Sequence, residues 1–140
     1  MKKTLDNQKL LEVKDLKVSF FTPSEEGKAV GGISYDLNYG EVMGIVGESG
    51  SGKSVEADAI MGLLQSPGRV VGGTVHFEGE NILEYSKKQM ENFRGNKTSM
   101  IFQNPMTSLN PVYTVGNQLM EAVLTHSDMT RAEARNKAME

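Results

Sequence analysis

The chemistry available to this chain is concentrated in one run, Gly47-Glu48-Ser49-Gly50-Ser51-Gly52-Lys53-Ser54. Glycine, four residues, then Gly-Lys-Ser is the spacing at which a backbone turns its N–H groups inward around phosphate oxygens with no side chain in the way. A lysine in this place reaches the β- and γ-phosphates as a mobile point charge, and the serine hydroxyl after it binds Mg²⁺. The expected phosphate cradle is therefore Gly47, Glu48, Ser49, Gly50, Ser51, Gly52, Lys53, Ser54 and Val55, with Lys53 the catalytic cation and Ser54 a metal ligand. A flexible Gly/Ser turn with an incidental lysine is the bland alternative, but flexible linkers do not usually join an apolar strand to a helix.

The loop needs a strand before it, to fix where it begins, and a helix after it, whose dipole and free N–H groups face the anion. The apolar run Val42 to Val46 reads as the strand, and Ser54 to Leu64 has helical composition up to Pro67-Gly68. Upstream, Leu10 to Phe21 and residues 29 to 38 partly alternate apolar and polar and read as half-buried strands, separated by the polar break Thr22 to Gly27. Downstream, Val70 to Phe77 reads as a strand interrupted by Gly72-Gly73. Ser86-Lys87-Lys88-Gln89 fits a capping box opening a helix toward Arg94, and Thr130-Arg131-Ala132-Glu133 a second one. Between them lie the apolar run Thr98 to Phe102, a loop from Gln103 to Val115 with Pro105 and Pro111, and helical patterning from Gly116 to Leu124.

Composition narrows the function. The chain has 140 residues, 15 Lys plus Arg against 18 Asp plus Glu, and no Cys or Trp. That length suits one domain at most, and the small negative net charge lacks the basic footprint of a nucleic-acid binder. Without cysteine there is no disulfide framework, thiolate metal site or thiol nucleophile. No apolar stretch of signal-peptide length follows the basic start, and no window approaches the roughly 20 residues of a membrane span, so any membrane role is expected to be peripheral. His76, on an expected strand, and His126, at an expected helix end, read as structural or solvated.

A triphosphate site also needs a second hold on Mg²⁺, usually an Asp after four apolar residues. Residues 55 to 140 contain no such run; the nearest, Ser99-Met100-Ile101-Phe102, is followed by Gln103. Together with Gly40 to Ser54, with Gly62-Leu63-Leu64, Pro67 and Val71-Gly72-Gly73, and above all with Met100-Ile101-Phe102-Gln103-Asn104-Pro105-Met106-Thr107-Ser108-Leu109-Asn110-Pro111, this resembles the ATP-binding subunits of ATP-binding-cassette (ABC) importers. The likeness is to the oligopeptide and dipeptide group, which includes nickel importers, and runs from about Leu10 to the C-terminus.

The resemblance implies an α/β fold: a P-loop NTPase and partial ABC nucleotide-binding domain. Its parts would be an N-terminal antiparallel β-subdomain (10–38 and 70–78), the Walker A strand-loop-helix (41–64), a Q-loop region (98–115) and the start of a helical subdomain (116–140). Gln103 matches the family's Q-loop glutamine, which contacts Mg²⁺ or the attacking water; its amide offers both an acceptor and donors. Phe20, or its neighbour Phe21, matches the aromatic residue that stacks on adenine. Implied cofactors are ATP and Mg²⁺; implied partners are a second ATP-binding subunit and, through the Q-loop region, membrane permease subunits at the cytoplasmic face. The family's signature motif, Walker B aspartate, catalytic glutamate and switch histidine have no match here, so the 140 residues correspond to about half of a nucleotide-binding domain and are expected to turn over little ATP alone. The alternatives are a non-catalytic nucleotide-binding or dimerising module and, less favoured, a small-molecule kinase. A kinase wants a lid with arginines, and Arg69, Arg94, Arg131 and Arg135 lie in no such context.

Overall fold

The computed structural model describes residues 8–103 and 109–139. The expected Q-loop extension Asn104 to Ser108 lies outside the described residues. The chain divides into two compact units, one up to Met90 and one from Glu91.

In the first unit four antiparallel strands form one sheet in the order β2-β1-β3-β4: β1 Lys9–Phe21, β2 Glu26–Asn38, β3 Gly68–Phe77 and the short β4 Glu80–Asn81. The central strand β1 pairs with β2 from Lys9↔Asn38 to Phe21↔Glu26 and with β3 from Leu11↔Phe77 to Phe20↔Gly68. Its buried apolar residues, Val13, Leu16 and Val18, are unevenly spaced. In a regular strand a three-residue step flips a side chain to the other face. A one-residue bulge at Asp15, whose φ is 47°, absorbs the odd residue, and the Asp15 N–H donates to Ser34 Oγ at 2.8 Å. The register shifts again between Gly72 and Val70, so the glycine pair does interrupt β3 without ending it. Val30, Val75 and Ile82 complete the buried cluster with Ala59 and Met61 from the helical segment that follows.

That helix, α1 (Lys53–Ile60), packs against β1, β2 and β3. It ends before Leu64, where composition alone would carry it. Leu63 N–H bonds Asp58 O at 2.7 Å and Gly62 N–H bonds Ala59 O at 3.2 Å, a Schellman closure that needs the left-handed Gly62 (φ 62°). Ser86 opens α2 (Lys87–Asn96) as expected: its N–H donates to Gln89 Oε1 at 2.9 Å, and Gln89 N–H returns a long bond to Ser86 Oγ.

The expected strand Val42 to Val46 is not formed. These residues carry no ladder, and Val42 and Val46 are 96% and 93% exposed. An apolar run meant for burial on both faces becomes a strand only between flanking strands, and among the described residues none pairs with it.

In the second unit α3 (Val115–Thr125) and α4 (Arg131–Lys137) pack on each other. Thr114 Oγ1 accepts from Asn117 N–H at 3.3 Å, extending the expected helix by one residue at each end. Thr130 and Glu133 make the reciprocal capping box read from the sequence: Thr130 N–H reaches Glu133 Oε2 at 2.7 Å. α2 loses helical geometry at Arg94 and Gly95, where the His126 ring sits so close to Gly95 that any Cβ there would clash. Both histidines thus sit in structural surroundings, His76 half-buried in β3.

Apolar side chains stand free in each unit: Val42, Ile45 and Val46 in the first, Ile101, Val112 and Leu119 in the second. Contiguous exposed apolar surface and an unpaired β-forming run are templates for pairing with another chain. The 140-residue chain should therefore self-associate. Light scattering over a dilution series checks this, and a monomeric mass persisting at high micromolar concentration would contradict it.

Candidate phosphate-binding site

The glycine loop is drawn around the ammonium of its own lysine. Lys53 Nζ donates to the carbonyls of Gly47 and Glu48, each at 2.7 Å, and to Ser51 Oγ at 3.2 Å. Ser51 N–H closes back on Glu48 O at 3.2 Å. Residues 47 to 51 are exposed, whereas Gly52 and Lys53 are half-buried at the start of α1. The sequence-derived cradle residues therefore do come together in one loop, and its cation is positioned by backbone oxygens.

What seats the loop is β2. Gly52 caps α1 with φ 94°, and a Cβ there would lie 2.5 Å from the Ala29 carbonyl oxygen and 3.4 Å from Val30 Cγ2. Only glycine tolerates both the left-handed backbone and that approach. No side chain caps the helix. Among the described residues, no acceptor meets the backbone N–H of Gly52, Lys53, Ser54 or Val55, so the positive end of the α1 dipole points into the loop with donors to spare. That is the arrangement that binds phosphate or another anion.

Ser54 is exposed in the first turn, with no hydrogen-bond partner for its hydroxyl among the described residues. One such oxygen suits Mg²⁺, which takes one or two protein ligands and completes its octahedron with phosphate oxygens and water. Among the described residues no group of three or more His, Asp or Glu is placed to hold a metal by itself.

Phe20 lies in β1 opposite Gly27 of β2 and Gly68 of β3, and its ring rests on Gly68, where a Cβ would come within 2.6 Å of Phe20 Cε1. Gly27 is two residues from Ala29, about 7 Å along the strand, so the aromatic residue and the loop share one end of β2. The neighbouring Phe21 ring carries the Arg69 guanidinium 4.0 Å from its centroid, a cation–π contact. Gln103 belongs to the second unit and is exposed in irregular chain.

Two site residues escaped the sequence reading. Ala29 is ordinary strand sequence, and its role depends on what packs over it. Glu56, in the first turn of α1, is only 5% exposed, beside Tyr35 of β2. Burial, and then the Glu56 carboxylate, push the Tyr35 hydroxyl well above its usual pKa. Nothing in a helix of mixed polarity marks one glutamate as buried.

The profile of the ABC transporter family matches residues 30–140. This chain belongs to the ABC transporter family. It is 51% identical over 132 residues to a protein of Sinorhizobium fredii named "Probable peptide ABC transporter ATP-binding protein y4tR", which covers 94% of this chain and 39% of that protein. It is also 51% identical over 125 residues to the oligopeptide transport ATP-binding protein OppD of Salmonella typhimurium, covering 89% of this chain and 37% of that one. The chain thus spans about two fifths of the length of these relatives. In three dimensions it is similar to the dimeric structure of MJ0796, a bacterial ABC transporter cassette, with a TM-score of 0.78 at 21% identity over 92% of this chain and 54% of that cassette. The P-loop NTPase fold class expected from the sequence therefore holds, with its antiparallel sheet and loop-helix element. No helix among the described residues is long and apolar enough to cross a membrane.

Replacing Gly52 by Ala should cost about 1–2 kcal/mol for the left-handed backbone alone, with further loss because the Ala29 carbonyl cannot yield as a side chain would. Thermal unfolding monitored by circular dichroism should show the lowered midpoint, with Gly50→Ala, open to solvent on its Cβ side, for comparison.

Proposed function

We propose that this chain supplies the Walker A half of the nucleotide site in an ABC importer ATPase that drives uptake of oligopeptides or dipeptides. The observation that carries the reading is the loop itself: one lysine ammonium held at a fixed point by Gly47 and Glu48, facing a helix start with four N–H groups to give. Gly47 through Val55 cradle the phosphates of ATP, and Lys53 neutralises charge on the terminal ones. Ser54 would hold Mg²⁺, and Gln103 keeps the role the resemblance implies for it, contact with Mg²⁺ or with the attacking water. Phe20 offers a sequence-independent π face to adenine, which needs no hydrogen bond from it.

The peptide assignment rests on the named relatives. By the same reading, a second ATP-binding subunit completes the site, permease subunits dock on the 98–115 region, and the protein works at the cytoplasmic face of the membrane as a peripheral component. A non-catalytic nucleotide-binding or dimerising role is the second reading. It is favoured for the 140 residues alone, in which no apolar run ends in an aspartate that could take the other side of Mg²⁺.

Two measurements check this. Titration with Mg·ATP should show binding that Lys53→Ala weakens at least tenfold, since one charge-assisted phosphate contact is worth about 1.5–3 kcal/mol; unchanged affinity would remove the site assignment. Steady-state hydrolysis by the 140-residue chain should be negligible, because placing the water and stabilising charge supply most of the rate in phosphoryl transfer. Turnover near one per second, lost in Lys53→Ala, would contradict that expectation.

A further inference from the structure

Glu56 is a buried carboxylate in the helix that follows the glycine loop. It sits in the first turn of α1, two residues past Ser54, and is the only acidic residue of that turn. The Tyr35 hydroxyl hydrogen-bonds the carboxylate, but Oε1 is shielded from solvent and meets no hydrogen-bond donor. An unpaired buried carboxylate oxygen costs stability, and a packing role would be filled better by an apolar side chain of the same size. Three residues on from Lys53, Glu56 stands one helical turn from the glycine loop. At that distance a carboxylate charge offsets part of the positive potential that the helix start offers an anion in the loop.

We infer that Glu56 holds the affinity of the loop for nucleotide phosphates down, acting through the helix dipole and its own charge rather than by contact. It is thus a residue that tunes phosphate binding, not a catalytic one, and the inference rests on the phosphate-binding reading above. A fixed negative charge one turn from the loop opposes ligands in proportion to their own charge. It therefore bears more heavily on the triphosphate than on the diphosphate.

Titration of the protein with Mg·ATP and Mg·ADP, as wild type, Glu56→Gln, Glu56→Met and Lys53→Ala, tests this. Glu56→Gln keeps the shape and removes the charge; Glu56→Met removes charge and hydrogen bonding together and provides a second variant should the first fold poorly. Both should tighten Mg·ATP binding, about three- to tenfold for a unit charge on the order of 10 Å away and partly screened. The gain should be smaller for Mg·ADP. If Lys53→Ala weakens binding while both Glu56 variants leave it unchanged or weaken it, Glu56 is a packing residue and the inference falls. Equal gains for the two nucleotides would also overturn it, since a relaxed helix start would produce them without a charge effect. If Lys53→Ala has no effect, the phosphate-loop reading fails and takes this inference with it.

Discussion

The close approach of Gly52 to the Ala29 carbonyl is the contact on which the site depends. It seats the start of α1 against β2, and the rest of the loop is positioned from there. With Gly52 in the left-handed conformation, the following N–H groups emerge on one side while the chain before it folds back toward Lys53. The lysine then gathers Gly47 O, Glu48 O and Ser51 Oγ about one point. A long flexible side chain is thereby held by the loop's own oxygens, with no carboxylate among its hydrogen-bond partners.

The sheet serves this seat. β1 lies between β2 and β3, and the Asp15 bulge lets Val13, Leu16 and Val18 all turn to the core, so α1 finds an apolar floor under Ala59 and Met61. Without the bulge, one odd step in the apolar spacing would put Leu16 in water. At the other end of the helix the Schellman closure at Gly62 limits α1 to a little over two turns. The helix is short, and its dipole therefore matters chiefly at the end that faces the loop.

Two opposite charges stand three residues apart in the first turn of α1, Lys53 and Glu56. The Lys53 ammonium is held by the oxygens of the loop, while Glu56 is buried beside Tyr35, whose hydroxyl is pushed above its usual pKa by burial and by the Glu56 carboxylate.

Much of this was legible in the residues. The glycine loop follows from its own glycines, lysine and serine, since its form is set by backbone conformation and by contacts within eight residues. Both capping boxes, at Ser86 and Thr130, follow from contacts three residues apart, which local sequence specifies completely. The strands around Leu10 to Phe21, 29 to 38 and Val70 to Phe77 were readable from alternation. Tertiary structure decided what depends on distant partners. Val42 to Val46 has the composition of a buried strand and forms none, because a strand exists only in its ladder. Glu56 looks like a solvated helix residue and is buried, because the sheet closes over that face of α1. Ala29 acquires its role only when Gly52 lands on it. Local hydrogen bonding and backbone sterics are written in a few neighbouring residues, whereas burial and pairing belong to surfaces that the fold brings together.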